Sequence, residues 1–261
     1  MDIAGKVVLI TGASQGIGAA CAQALRAHGA NLALTARNEA NLRSIAQPQD
    51  LILPADITIP ADREQCEHHT LRHFGRIDIL INNAGVGLYA PSWNAPMDEV
   101  RRMYELNLFA PLAMIQLVAP SMRASRGGMI VNVASIAGKV TLPWLTLYSA
   151  SKYALGSLTD GLRMELRRDG IHTLTVCPGY VSTQFQDHVL HGQPPGHVRR
   201  TKWFKITPER CAQDIVKGIS RRARTVVTPA SGWAFIVLQR LLPNWVDRKL
   251  EDIYFRGLHT S

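Results

Sequence analysis

Between the apolar run Lys6–Thr11 and a helix-like segment from Ile17 to about Ala27 stands the turn Thr11-Gly12-Ala13-Ser14-Gln15-Gly16-Ile17-Gly18. A strand, a glycine-rich turn and a helix in that order suit a dinucleotide, because glycines let the backbone close tightly and approach a pyrophosphate. The pyrophosphate charge is then met by the amides and dipole of the helix N-terminus. The spacing is Gly-x-x-x-Gly-x-Gly, not the commoner Gly-x-Gly-x-x-Gly. Gly12, Ser14, Gln15, Gly16, Ile17 and Gly18 are candidate cofactor-binding residues; a glycine-rich turn with no ligand is the alternative.

The rhythm continues along the chain. Strand-like runs recur at Asn31–Thr35, Leu51–Leu53, Ile77–Ile81, Met129–Val133, Ile171–Val176 and Thr225–Thr228, with helical stretches between most of them. Strands alternating with helices predict an α/β fold, a doubly wound parallel sheet with helices on both faces. No repeat, low-complexity segment or linker divides residues 1–261, so a single domain is expected.

The second strand selects between cofactors. An acidic residue about twenty positions after the glycines would bind the adenosine 2′-hydroxyl of NAD. That position holds Ala36, followed by Arg37. A guanidinium with no carboxylate beside it favours a 2′-phosphate, hence NADP, unless Arg37 is only a solvated surface residue. Asp56 and Ile57 follow the third strand, where the carboxylate is placed to accept from the adenine amino group. Asn82-Asn83-Ala84-Gly85 ends the fourth strand with small residues that allow close backbone approach to the adenosine ribose.

Proton chemistry is suggested by Tyr148 and Lys152, four residues apart at the start of a helix and so on one face. An ammonium near a phenol favours the phenolate and is expected to pull the tyrosine below its usual value of about 10. The strand Met129–Val133 carries Ser135 just past its carboxyl end, where a hydroxyl can bond the oxygen being protonated.

In this order and at these intervals, Thr11-Gly12-x-x-x-Gly16-Ile17-Gly18, Asn82-Asn83-Ala84-Gly85, Asn107, Ser135, Tyr148-x-x-x-Lys152 and Pro178-Gly179 resemble the short-chain dehydrogenases/reductases, over roughly residues 5–228. The resemblance implies a single-domain Rossmann-type oxidoreductase, commonly a homodimer or homotetramer. It implies Tyr148 as acid/base, Ser135 orienting the carbonyl, Lys152 on the nicotinamide ribose, and Asn107 holding a proton-relay water. It also places Pro178, Gly179, the Val181 backbone and Thr183 beside the nicotinamide carboxamide and pyrophosphate. One departure is Leu108-Phe109-Ala110, where many members have glycine at the third position. Residues 184–207 have little periodicity and are expected to form a lid over the substrate; their His188, His191 and His197 lack partners at metal-binding spacing, so no metal is expected.

Composition excludes several classes. Cys21, Cys66, Cys177 and Cys211 form no Cys-x-x-Cys pair, which argues against zinc or a disulfide framework and fits a reducing cytoplasm. The chain enters its first strand almost at once, so no signal peptide is expected, and no apolar run approaches the roughly 18–20 residues of a bilayer span. The formal charge of +9 is uneven: residues 1–198 hold 16 Lys+Arg against 15 Asp+Glu, residues 199–261 hold 13 against 5. Basicity therefore belongs to the last quarter and is not a nucleic-acid signature. There, residues 230–261 form an apolar and basic extension in which Trp233, Phe235, Val237, Leu241 and Trp245 sit among arginines. Peripheral contact with the inner membrane surface, a seal on the pocket and a subunit interface are the open alternatives.

The function expected is NADP(H)-dependent hydride exchange at a carbonyl or secondary alcohol of a lipophilic small molecule. Two rivals are a sugar-nucleotide epimerase-like enzyme, which would normally have a separate C-terminal domain, and a catalytically silent NADP-binding regulator or scaffold.

Overall fold

The computed structural model of the chain describes residues 1–185, 189–192 and 205–255. Its centre is one seven-stranded sheet, every neighbouring pair parallel, in the order β3-β2-β1-β4-β5-β6-β7. The strands are β1 (Val7–Thr11), β2 (Asn31–Ala36), β3 (Leu51–Pro54), β4 (Ile79–Asn82), β5 (Gly128–Val133), β6 (Ile171–Pro178) and β7 (Thr225–Thr228). Each matches a strand read from the sequence to within two residues at either end. The helices are α1 (Gly16–Ala27), α2 (Glu39–Ile45), α3 (Pro60–Phe74), α4 (Met97–Tyr104), α5 (Ala110–Ala124), α6 (Thr146–Glu165), α7 (Pro208–Ser220), α8 (Gly232–Leu241) and α9 (Pro243–Phe255).

Parallel strands covered on both faces read as continuous apolar runs, because alternate side chains enter two different cores. In β1, Val8 and Ile10 pack with Cys21, Leu25 and the α7 residues Cys211, Ile215 and Ile219. Leu9, between them, points the other way, into a core with Cys66 of α3, Met114 and Val118 of α5 and Leu162 of α6.

Strand order reverses between β1 and β4, and a crevice opens outside the carboxyl ends at such a switch. The candidate residues of the sequence fall there: the glycine turn after β1, Arg37 after β2, Asp56 after β3, Asn83–Gly85 after β4, Ser135 after β5 and Gly179 after β6.

A buried polar ladder fixes α6 against the sheet. Asn82 Nδ2 donates to Asn132 Oδ1 at 2.9 Å, Asn132 Nδ2 donates to Thr159 Oγ1 at 2.9 Å, and Thr159 Oγ1 donates to the Leu155 carbonyl. These bonds join β4, β5 and α6 in one register, which sets where Tyr148 and Lys152 emerge.

Candidate active site

The first turn is built by exclusion of side chains. Gly12 and Gly16 have φ of +64° and +57°, and a Cβ on Gly18 would lie 2.2 Å from the Gly12 carbonyl oxygen. Only glycine fits there. Asn83 secures the turn: its Nδ2 donates to the carbonyls of Thr11 and Gly12, both at 3.0 Å. Thr11 Oγ1 in turn accepts from the backbone N–H groups of Asn83 and Ala84. At the start of α1, Gln15 makes no side-chain cap and the first turn holds no acidic residue. The leading N–H groups of this 12-residue helix are thus left for an anionic group in the cleft, which suits a pyrophosphate. Thr183 closes over the turn, its methyl 3.1 Å from where a Gly16 Cβ would be.

At the adenine end, Arg37 lies 3.9 Å from an Asp56 carboxylate oxygen, and its side chain is 78% exposed. Asp56 Oδ1 already accepts from Thr58 N–H at 3.0 Å and Thr58 Oγ1 at 2.7 Å. Its two oxygens are thus engaged by the loop and by Arg37, a use the sequence did not suggest. The acidic neighbour Glu39 is turned along α2 to Arg43. Arg37 remains the cation facing the cleft beside Ala36.

At the other end, Tyr148 and Lys152 stand one helical turn apart on α6, both almost wholly buried, as the four-residue spacing requires. Lys152 Nζ donates to the Val133 carbonyl at 3.0 Å and lies 5.8 Å from the Tyr148 ring centroid. Ser135 Oγ accepts from the Ala137 N–H at 3.1 Å, which fixes its side chain at the end of β5. Asn107 sits in a single π-helical turn, Glu105–Phe109, between α4 and α5. Such insertions are frequent at functional sites because they turn a side chain out of register. The Asn107 amide clamps Val86, accepting from its N–H and donating to its carbonyl, both at 2.9 Å, and also donates to Ser151 Oγ. A Cβ on Gly85 would be 3.1 Å from Asn107 Oδ1 and 3.2 Å from Lys152 Nζ, so both polar groups crowd this glycine. Ala110, the residue that departs from the family pattern, is fully buried at the start of α5.

The expectation for the tyrosine pKa is corrected by burial. Removal from water pushes the Tyr148 phenol above its ordinary value; a hydrogen bond with Ser135 opposes this, and nearby Tyr89 adds to it. Lys152 does not reverse the shift, because its own ammonium is desolvated and held by Val133. Burial lowers Lys152 to about 8, with Cys177 acting weakly in the other direction.

These parts face one cleft of about 1280 Å³, larger than the several hundred cubic ångströms of a single small ligand. It is lined by Gly12, Ser14, Gln15, Gly16, Ile17, Arg37, Asp56, Ile57, Asn83, Ala84, Gly85, Ser135, Tyr148, Lys152, Pro178, Gly179, Val181 and Thr183. Of the residues chosen from sequence, Gly18 and Asn107 stand behind the wall. The apolar chamber around Tyr148 was not foreseen: Tyr89, Leu142, Leu145, Phe185 and Leu190 line it, with the Phe185 ring 5.9 Å from that of Tyr148. Its only trace in the sequence is the excess of large apolar residues between the motifs. Part of the segment 184–207, including His188 and His197, lies outside the described residues.

The chain resembles known proteins along most of its length. Residues 6–194 match the short chain dehydrogenase family. Dehydrogenase/reductase SDR family member 7B of Danio rerio is 31% identical over 257 residues, covering 92% of this chain and 82% of the relative. A short-chain dehydrogenase/reductase from Burkholderia phymatum, solved with NAD, superposes with a TM-score of 0.85 at 25% identity, covering 94% of this chain and 96% of that one. A short-chain dehydrogenase from Burkholderia cenocepacia, solved with NADP, gives a TM-score of 0.82 at 26% identity, covering 96% and 99%. The chain belongs to the short-chain dehydrogenase family of oxidoreductases.

Proposed function

We propose that this oxidoreductase is an NADP(H)-dependent carbonyl reductase or alcohol dehydrogenase acting on a lipophilic small molecule. The observation that carries the reading is the convergence of Ser135, Tyr148 and Lys152 on one end of a cleft whose other end holds the glycine turn and Arg37. Hydride exchange at the substrate carbon is the chemistry a nicotinamide supplies when bound.

The remaining work falls to the chain. The α1 amides and Thr183 would hold the pyrophosphate, and Arg37, whose contact with Asp56 is loose, would take the 2′-phosphate. Lys152, beside Gly85, would bond the ribose of a bound nicotinamide nucleotide. Ser135 holds the substrate oxygen, and Tyr148, kept protonated by burial, gives that oxygen its proton during reduction. Oxidation runs the same transfer backwards and needs the phenol to shed its proton first. Asn107 acts by shaping the backbone at Val86, which sets the floor of the proton path. Leu142, Leu145, Phe185 and Leu190 exclude water from the reacting atoms and match an apolar substrate.

A homodimer or homotetramer in the cytoplasm fits this reading, the four cysteines being buried free thiols suited to a reducing compartment. A catalytically silent regulator gains no support from a site in which the hydroxyl, phenol and ammonium all face the cleft.

The test is NADPH and NADH oxidation against aldehydes and ketones of increasing apolar length. Turnover with NADPH strongly preferred, and kcat/KM rising with chain length, is the expected result. Equal rates with both cofactors remove the NADP assignment, and cofactor binding with no turnover on any carbonyl favours the silent reading.

A further inference from the structure

The helix α8, Gly232–Leu241, buries Gly232 and Ile236 against the body and turns Trp233, Val237 and Leu241 to solvent. These recur every fourth residue, so they form one stripe along the helix. Leu242 and Trp245, just beyond the end of the helix, are also exposed, and the Lys249 ammonium lies 6.0 Å from the centroid of the Trp245 ring. Three large apolar side chains along one helix face, with two more exposed just beyond its end, are more than scattered surface exposure.

A basic hollow adjoins the stripe. A depression of about 380 Å³ is lined by Gly138, Lys139, Tyr153, Ser157, Asp160, Gln239 and Arg240. Its carboxylate, Asp160, is already paired with Arg163 and Arg224. Lys139 and Arg240 make no ion pair among the described residues. From Ile215 to Val246 the chain carries no acidic residue but holds Lys217, Arg221, Arg222, Arg224 and Arg240; the next residue, Asp247, has its carboxylate engaged by Gln239 Nε2 at 3.1 Å. A tryptophan at the start of an apolar stripe and another just beyond it, with cations outside any ion pair at its margin, are the chemistry of a helix lying in a headgroup region.

We propose that the α8–Trp245 face docks on an anionic phospholipid surface, with the stripe in the acyl boundary and the Lys139/Arg240 hollow on a lipid phosphate. The position is useful to the enzyme. At the far end of α9, Phe255 packs 6.1 Å from Trp144, and Trp144 lies between the chamber residues Leu142 and Leu145. At the start of α8, a Cβ on Gly232 would lie 2.7 Å from Ile136, which lines the cleft, so a membrane held at α8 would lie close to the cleft wall. No helix among the described residues is long and apolar enough to cross a membrane, so contact would be peripheral.

The experiment is flotation of the whole chain with vesicles of phosphatidylcholine alone, or with phosphatidylglycerol in equal parts. It reads partition, not turnover, so it fails or succeeds independently of the cofactor and substrate assignments. The wild type should float with the mixed vesicles and far less with the neutral ones. The double variant V237D/L241D, changed only at exposed positions, should lose binding at least about tenfold while keeping its melting temperature. K139Q and R240Q should each weaken binding by about fivefold, an effect that high salt erases. Absence of flotation with mixed vesicles overturns the proposal, as does binding unchanged in V237D/L241D. A wild-type dimer that this variant converts to monomer, with no vesicle binding, identifies the face as a subunit contact and overturns it equally.

Discussion

Lys152 holds the Val133 carbonyl at 3.0 Å while its ammonium stays 5.8 Å from the centre of the Tyr148 ring. The lysine is tied first to the strand and only second to the phenol. Such a tether gives an ammonium a fixed place at the floor of the cleft, next to Gly85, and burial makes that ammonium expensive to keep.

The expense is measurable as a pH dependence of stability. The folded chain holds Lys152 at about 8 against an ordinary value of 10.5. Between those values the unfolded chain binds more protons than the folded one, so stability rises with pH across the window. Below about pH 8 the full penalty applies, and above about pH 10.5 it has gone. Lys152→Met removes the titration. The difference in urea-unfolding free energy between wild type and variant should therefore move in favour of the wild type as pH rises from about 7 to about 9.5. A difference that stays flat contradicts the buried, depressed lysine.

Arg37→Ala tests the cofactor choice. The guanidinium is mostly exposed and shares its charge with Asp56, so its contribution is that of a screened contact, about tenfold in NADPH dissociation constant. NADH affinity should stay within about twofold. Isothermal titration with both cofactors decides the matter; equal weakening of both would remove the 2′-phosphate role.

Asn132→Ala should destabilise the chain by about 2–4 kcal/mol in chemical denaturation, because Asn82 Nδ2 and Thr159 Oγ1 each lose a buried partner. Turnover should fall as well, since α6 loses its register on β5. Wild-type stability in this variant would show that the ladder does not hold α6.

Much of this was legible in the sequence because the chemistry sits at strand ends, and strand ends are marked. The apolar runs stop at Thr11, Asn82 and Val133, and small or polar residues follow at once. Asn132 was legible in retrospect as a lone amide inside the apolar run Ile130–Val133, a pattern that signals a buried partner across the sheet. The tyrosine pKa was not. Spacing puts Tyr148 and Lys152 on one face, but whether the cation or the loss of water prevails depends on side chains from other elements, among them Tyr89 and Phe185. Pairing of Arg37 with Asp56 was hidden for the same reason, being a contact between the ends of two strands. The chamber wall at Leu142, Leu145 and Leu190 comes from loops without periodicity, so no pattern announces it.

The upward shift of Tyr148 also fixes a direction for the pH profile of turnover. A phenol held protonated through the neutral range serves reduction without change, whereas oxidation must wait for deprotonation. The oxidative rate should climb with pH on the alkaline side while the reductive rate does not. Matching pH profiles in both directions would argue that another group carries the proton.

The most direct measurement is single-turnover NADPH oxidation by Tyr148→Phe with a lipophilic ketone that the wild type reduces. Removing the hydroxyl leaves the ring, its packing on Phe185 and the cofactor cradle in place, so the NADPH dissociation constant should change by less than about threefold. The rate should fall by about a thousandfold or more. A variant that turns over within about tenfold of the wild type would show that Tyr148 is not the proton carrier, and the assignment of this cleft as the reacting centre would fail with it.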